Sequence, residues 1–169
     1  KSRIAEYLSL MILEFTINAE ISQLKKLSNR LYKDKVDFGR IIHNETIRNE
    51  LLKFLQKKNE FLTLSWKIKG TSTSIGTGNR LQVMIYNKDV EYQKLKQEID
   101  NKKSVDVKKK SLIDFYQDES ENEFNSDLGM YYLSYMQEAC KEQQIYFDSH
   151  MDQITERELN IITLSLMFQ

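Results

Sequence analysis

The spacing of apolar residues changes near residue 60, and that change restricts the chain to folds that lay helices on a sheet. Upstream of it, Ile4, Leu8, Met11, Ile12, Phe15 and Ala19 recur at three- and four-residue spacing, one apolar stripe on a helix from about Arg3 to Lys33. A second helix runs from about Ile41 to Asn59 and contributes Ile47, Leu51, Leu52, Phe54 and Leu55, with KDKVDFG, Lys33 to Gly39, as the break between them. In FLTLSWKIKG the period becomes two: Leu62, Leu64, Trp66 and Ile68 alternate with Thr63, Ser65 and Lys67, which predicts a half-buried strand. RLQVMIYN, Arg80 to Asn87, is apolar on both faces and predicts a more central strand.

A third helix is expected from Ser126 to about Gln144, with Ser126 or Asp127 able to cap its start. Strands at Ile145–Ser149 and Leu159–Phe168 close the chain, and Ile162, Leu164, Leu166 and Phe168 share one face of the last. The order predicts an α+β fold, a two-layer α/β sandwich with helices on one face of a mixed β-sheet.

At 169 residues the chain suits one domain, 1–169, with a helical insertion at about 36–59. Lys+Arg and Asp+Glu balance at 25 each, so overall charge argues for no nucleic acid and no anionic surface as partner. No run approaches the roughly 18 apolar residues of a membrane span, and no secretory pattern opens the sequence. A lone cysteine, Cys140, excludes an internal disulfide, argues against a zinc site, and lies mid-helix where burial is expected. These features predict a cytoplasmic globular domain with no membrane segment. Because the chain opens inside a helix, it is expected to be a piece of something longer.

Charge is unevenly spread. Eight lysines fall between Lys88 and Lys110, whereas Ser111 to Asp127 has six acidic residues and no lysine or arginine. Such blocks predict a solvated, mobile, lid-like segment at about 88–126, whose lysines could meet an anionic ligand.

The glycine cluster GTSTSIGTGNR, Gly70 to Arg80, invites comparison with a phosphate-binding loop. A Walker loop needs GxxxxGK[ST] between a strand and a helix, but here no Gly-Lys-Ser/Thr follows and the next element is a strand. The cluster is therefore expected to be a long, mobile hairpin connection.

The string Glu14-Phe-Thr-Ile-Asn18-Ala19 resembles the ExxxNA box of the GHKL ATPase superfamily, the Bergerat fold of gyrase, heat-shock chaperones, histidine kinases and mismatch-repair ATPases. In that family the box is followed by a strand hairpin ending in DxGxG, a variable lid, GxGLGL opening a helix, and two closing strands. Here LQVMIYNKDVE and NSDLGMYYLSYMQEAC stand in the corresponding places. The resemblance implies bound ATP and Mg2+, with Asn18 on the metal, Glu14 as general base, and Asn87, Asp89, Asp127, Leu128, Gly129 and Met130 around the nucleotide. Asn87 replaces the family aspartate that accepts from the adenine amino group. Asp89 and Glu91 replace that box's glycines, and Asn125 and Asp127 replace the first two of the second box. These departures argue against turnover. The resemblance thus implies a degenerate nucleotide-binding domain of a bacterial signalling protein, with a protein partner in that pathway. The alternative is a non-catalytic interaction module that keeps the fold without ATP.

Other sites carry less. His43 before Asn44-Glu45 faintly resembles the phosphoacceptor helix of histidine kinases, but follows the ExxxNA box instead of preceding it, so a surface or capping role is expected. His150 between Asp148 and Asp152 lacks a further ligand at metal spacing. Lys108-Lys109-Lys110 lacks the aromatic interleaving of a nucleic-acid reader.

Overall fold

The computed structural model describes residues 2–32, 38–58, 60, 62–73, 76–88, 96–97 and 128–168. Its principal elements are α1 (Ser2–Tyr32), α2 (Phe38–His43), α3 (Glu45–Lys57), β1 (Thr63–Thr73), β2 (Gly76–Asn87), α4 (Leu128–Glu142), β3 (Tyr146–Ile154) and β4 (Leu159–Phe168), with a 3-10 turn at Thr155–Arg157. Most of the lid-like segment, and the caps expected at Ser126 and Asp127, lie outside the described residues.

Helix boundaries differ from the sequence reading: α2 begins at Phe38, inside the expected KDKVDFG break, and two other differences have local reasons. The helix expected from Ile41 is divided at Asn44, whose backbone is extended and whose side-chain oxygen accepts from the Ile47 amide at 3.2 Å. An asparagine that caps a new helix cannot also continue the old one. The α4 helix stops at Glu142 because Gln144 is left-handed at φ 57°. The Ile145 amide donates to the Cys140 carbonyl at 2.9 Å and the Gln144 amide to Lys141 at 3.2 Å, the paired bonds of a Schellman stop.

The strands are ordered β1-β2-β4-β3, so β2 is central as its two-sided apolar pattern predicts. Every pairing is antiparallel, which corrects the expected mixed sheet. The glycine cluster is also corrected. β1 runs through Gly70 to Thr73 and β2 begins at Gly76, with Thr71 opposite Gly78 and Thr73 opposite Gly76. What looked like a long connection is ladder, and only residues 74–75, outside the described residues, separate the strands. A Cβ at Gly70 would meet no atom within 4 Å, so no close approach demands glycine there.

Helices α1 and α4 lie on one face of the sheet. Ile4, Leu8, Met11 and Phe15 of α1 and Leu133, Met136, Ala139 and Cys140 of α4 form one cluster with Val83, Ile85, Met151, Ile162, Leu164 and Leu166. The row Ile85–Ile162–Met151 crosses three strands on that face. Tyr7 stacks on Tyr132 and Tyr135, with ring centroids 6.2 and 5.9 Å away, and ties the helices together. Burial pushes the Cys140 thiol up to about 11. A second cluster lies further along α1, where Leu24 and Leu27 meet Leu51 and Leu55 of α3.

The outer strand β1 departs from its pattern. Trp66 pairs with Val83 and Ile68 with Leu81, so both are on the core side of the sheet, yet they are 56% and 76% exposed. Alternation placed these side chains on the correct face, but the helix layer does not extend over that edge. The opposite face carries a polar cluster, in which Arg80 Nη2 and Gln82 Nε2 each donate to Ser165 Oγ at 3.3 Å. Thr163 and Ser165 are buried on that face as Ile162, Leu164 and Leu166 are on the other, so β4 is buried on both sides.

Candidate functional site

Glu14 and Asn18 are four residues apart on α1, roughly 40° around its axis, beside the buried Phe15 and Ala19. Glu14 is half-buried, and that burial pushes its carboxyl above the ordinary value, the direction a general base needs. Asn18 is exposed. Between them Thr16 turns its hydroxyl back to the Ile12 and Leu13 carbonyls, each at 2.8 Å, so it offers that proton to the helix.

Asn87 ends β2 on the helix-facing side, opposite Asn160 of β4, which in turn faces Gln153 of β3. The Gln153 amide donates to Asn160 Oδ1 at 3.1 Å. Asn87 is 1% exposed, and its Oδ1 is a buried acceptor with no hydrogen-bond partner among the described residues. An unanswered acceptor in that position is destabilising and needs an explanation. Leu128, Gly129 and Met130 form the first turn of α4. Asp89 and Asp127 lie outside the described residues. The fold therefore brings Asn87 under the helix layer and sets Glu14 and Asn18 on the flank of α1.

One feature escaped the sequence reading. Beyond Asn18, Gln23, Lys26, Leu27 and Arg30 of α1 line a cavity of about 230 Å3 together with Leu55, Glu60, Lys88 and Glu158. Lys88 pairs with Glu60 at 3.8 Å. Glu158 is left-handed at φ 50° and leads from the 3-10 turn into β4. The cavity shares Lys88 and Glu158 with a more open depression over Thr155–Leu159. The only sequence signal was polar residues recurring at helical spacing, which on any single helix reads as a solvated flank.

The histidines add little. His150 Nδ1 lies 3.2 Å from Asp148 Oδ2 and its Nε2 lies 3.5 Å from Asp152 Oδ2, so both ring nitrogens already face carboxylates. Among the described residues no group of three His, Cys, Asp or Glu side chains is arranged to hold a metal. His43 ends α2 immediately before the Asn44 cap. No helix of the described residues is long and apolar enough to cross a membrane.

Two helices over one face of an antiparallel four-stranded sheet define the class as a two-layer α+β sandwich. The chain belongs to the family of unknown function DUF8084, which matches residues 1–168. It is 34% identical, over 169 residues, to a protein of Treponema pallidum (strain Nichols) named "Uncharacterized protein"; the match takes in 99% of this chain and 43% of that one. The chain thus spans less than half the length of this relative. No solved structure matches.

Proposed function

We propose that this domain is a nucleotide-binding regulatory module of a bacterial signalling protein, similar in arrangement to the GHKL ATPases and without turnover. The observation that carries the reading is Asn87. Its buried, unpartnered Oδ1 stands at the end of β2 beneath the helix layer, where an acceptor could receive the amino group of adenine. The order of α1, hairpin, α4 and hairpin supports the same resemblance. The residues present suit the base end of ATP better than its magnesium end. Asn18 is exposed, Glu14 is its only carboxylate neighbour on that flank of α1, and no described cluster completes a metal site. A cytoplasmic setting and a protein partner belong to this proposal, and the Treponema relative supports only the bacterial origin.

Calorimetric titration of the chain with ATP and ADP, with and without magnesium, tests it. Binding is expected, and Asn87→Leu should weaken it at least about tenfold, the equivalent of ~1.4 kcal/mol. Asn18→Ala should remove any strengthening by magnesium. Absence of heat at millimolar nucleotide would sink the reading.

A second reading, a protein-interaction module without ATP, is favoured by β1. This edge strand exposes Leu64, Trp66 and Ile68 on the core-side face, suited to an added strand of apolar alternation. Ile68→Glu should then abolish partner binding and leave nucleotide titration unchanged.

A further inference from the structure

The cavity along the C-terminal half of α1 has a chemistry of its own, separate from the nucleotide reading. Gln23, Lys26 and Arg30 are spaced three and four residues apart, so one helix face delivers three hydrogen-bond donors to the same space. Gln23 is 7% exposed, and its Nε2 is buried without a hydrogen-bond partner among the described residues. Buried amide donors are ordinarily satisfied, and here the orphan donor belongs to a residue that lines a cavity.

Charge points the same way. Among the described residues the lining has three basic side chains, Lys26, Arg30 and Lys88, against two acidic ones, Glu60 and Glu158, a surplus of one positive charge. The Lys88–Glu60 contact removes one of each, leaving Lys26 and Arg30 against Glu158. The Arg30 guanidinium sits 5.5 Å from the centre of the Phe54 ring, a contact that orients it without consuming its N–H groups. Open donors and surplus positive charge both select oxygen acceptors with negative charge. At about 230 Å3 the space falls below the roughly 300–1,000 Å3 of sites for drug-sized ligands, which argues for a small metabolite. Leu27 and Leu55 give that molecule an apolar wall.

We infer that this cavity binds a small organic oxyanion, a phosphate or carboxylate compound, with Gln23, Lys26 and Arg30 as its donors. The site needs neither Asn87 nor a nucleotide.

The test is a titration of 15N-labelled chain with inorganic phosphate and, separately, with succinate, against chloride at equal ionic strength, following the Gln23 side-chain amide by NMR. A saturable shift with one probe is expected, and the probe that produces it assigns phosphate or carboxylate as the source. Lys26→Ala, at an exposed position that folding does not need, should weaken the response about tenfold or more. Gln23→Leu, followed by calorimetry, should lose binding while the ligand-free Tm rises by about 2–4 °C, because an unanswered donor has been removed. Arg48→Ala, outside the cavity, and Asn87→Leu should retain the response, which separates this inference from the nucleotide proposal. The inference is overturned if neither probe gives a saturable shift, if chloride gives the same one, or if both cavity variants bind like the parent.

Discussion

The two halves of α1 are built from one continuous helix but end in opposite environments. From Ile4 to Phe15 its stripe is sealed against the sheet and α4, and Met11 is wholly buried. From Gln23 to Arg30 the stripe is mixed: Leu24 and Leu27 meet α3, while Gln23, whose amide donor is buried and unpartnered among the described residues, lines a cavity with Lys26 and Arg30. Length explains the difference. Thirty-one helical residues span about 46 Å at 1.5 Å each, whereas the longest strand, β2, at 12 residues, spans about 41 Å and β4, at 10, about 34 Å. The helix outruns the sheet, and its tail must find another helix. The space between sheet end and α3 is a junction of unlike elements, where a cavity survives more readily than between two matched layers.

The strongest way to break this comparison is to empty each half in turn. Met11→Ala, beneath the sheet, should cost about 2–5 kcal/mol in chemical denaturation, and Leu24→Ala should fall towards the lower end of that range. Cys140 reports on the difference, since its thiol, pushed up to about 11, stays protonated and buried in the folded chain. Thiol labelling should accelerate in Met11→Ala and remain slow in Leu24→Ala. Equal acceleration in both would mean that the halves open as one unit.

Smaller changes sharpen it. Asn44→Ala removes the α3 cap and should cost about 1 kcal/mol, with faster amide exchange confined to α2 and α3. Exchange that also quickened across β4 would refute a local effect. Arg48→Ala breaks the exposed 3.0 Å contact with Glu20, for which no more than about 0.2–1 kcal/mol is expected.

The last effect concerns pH. Burial raises the Glu14 carboxyl, so the folded chain holds that proton more tightly than the unfolded chain. The resulting stability is complete below the ordinary value of 4.5 and is lost as pH rises through the raised value. Glu14→Gln, permanently neutral, should therefore be more stable than the parent near neutral pH, with the gap closing in acid. Denaturation midpoints measured across that range decide it, and a constant gap would show that burial of the charge is not the cause.

Much of the architecture was legible along the chain. The stripe from Ile4 to Ala19, the central place of β2, and the inward Ile162, Leu164 and Leu166 all follow from periodicity, since a repeat of 3.6 or 2 fixes which side chains share a face. The extent of the hairpin was not, because Gly, Ser and Thr read as loop when taken alone and join a ladder when a paired strand supplies partners. The candidate site was less legible still. Glu14 and Asn18 could be placed on one flank of a helix, but the burial of Asn87 depends on elements distant in the sequence packing over the end of β2. The cavity needs Gln23 and Lys88, 65 positions apart, to meet.

What the sequence determined by itself is therefore local: the type of the strongly periodic elements and the facing of each strand, governed by contacts a few residues apart; the Asn44 cap is equally local, although the periodicity ran one helix through it. Tertiary structure alone decided the antiparallel order β1-β2-β4-β3, the exposure of Trp66 and Ile68, and the buried donor of Gln23, unpartnered among the described residues. Each depends on how far one layer extends over another. That extent is set by the packing of whole elements, and no periodicity within a single element carries it.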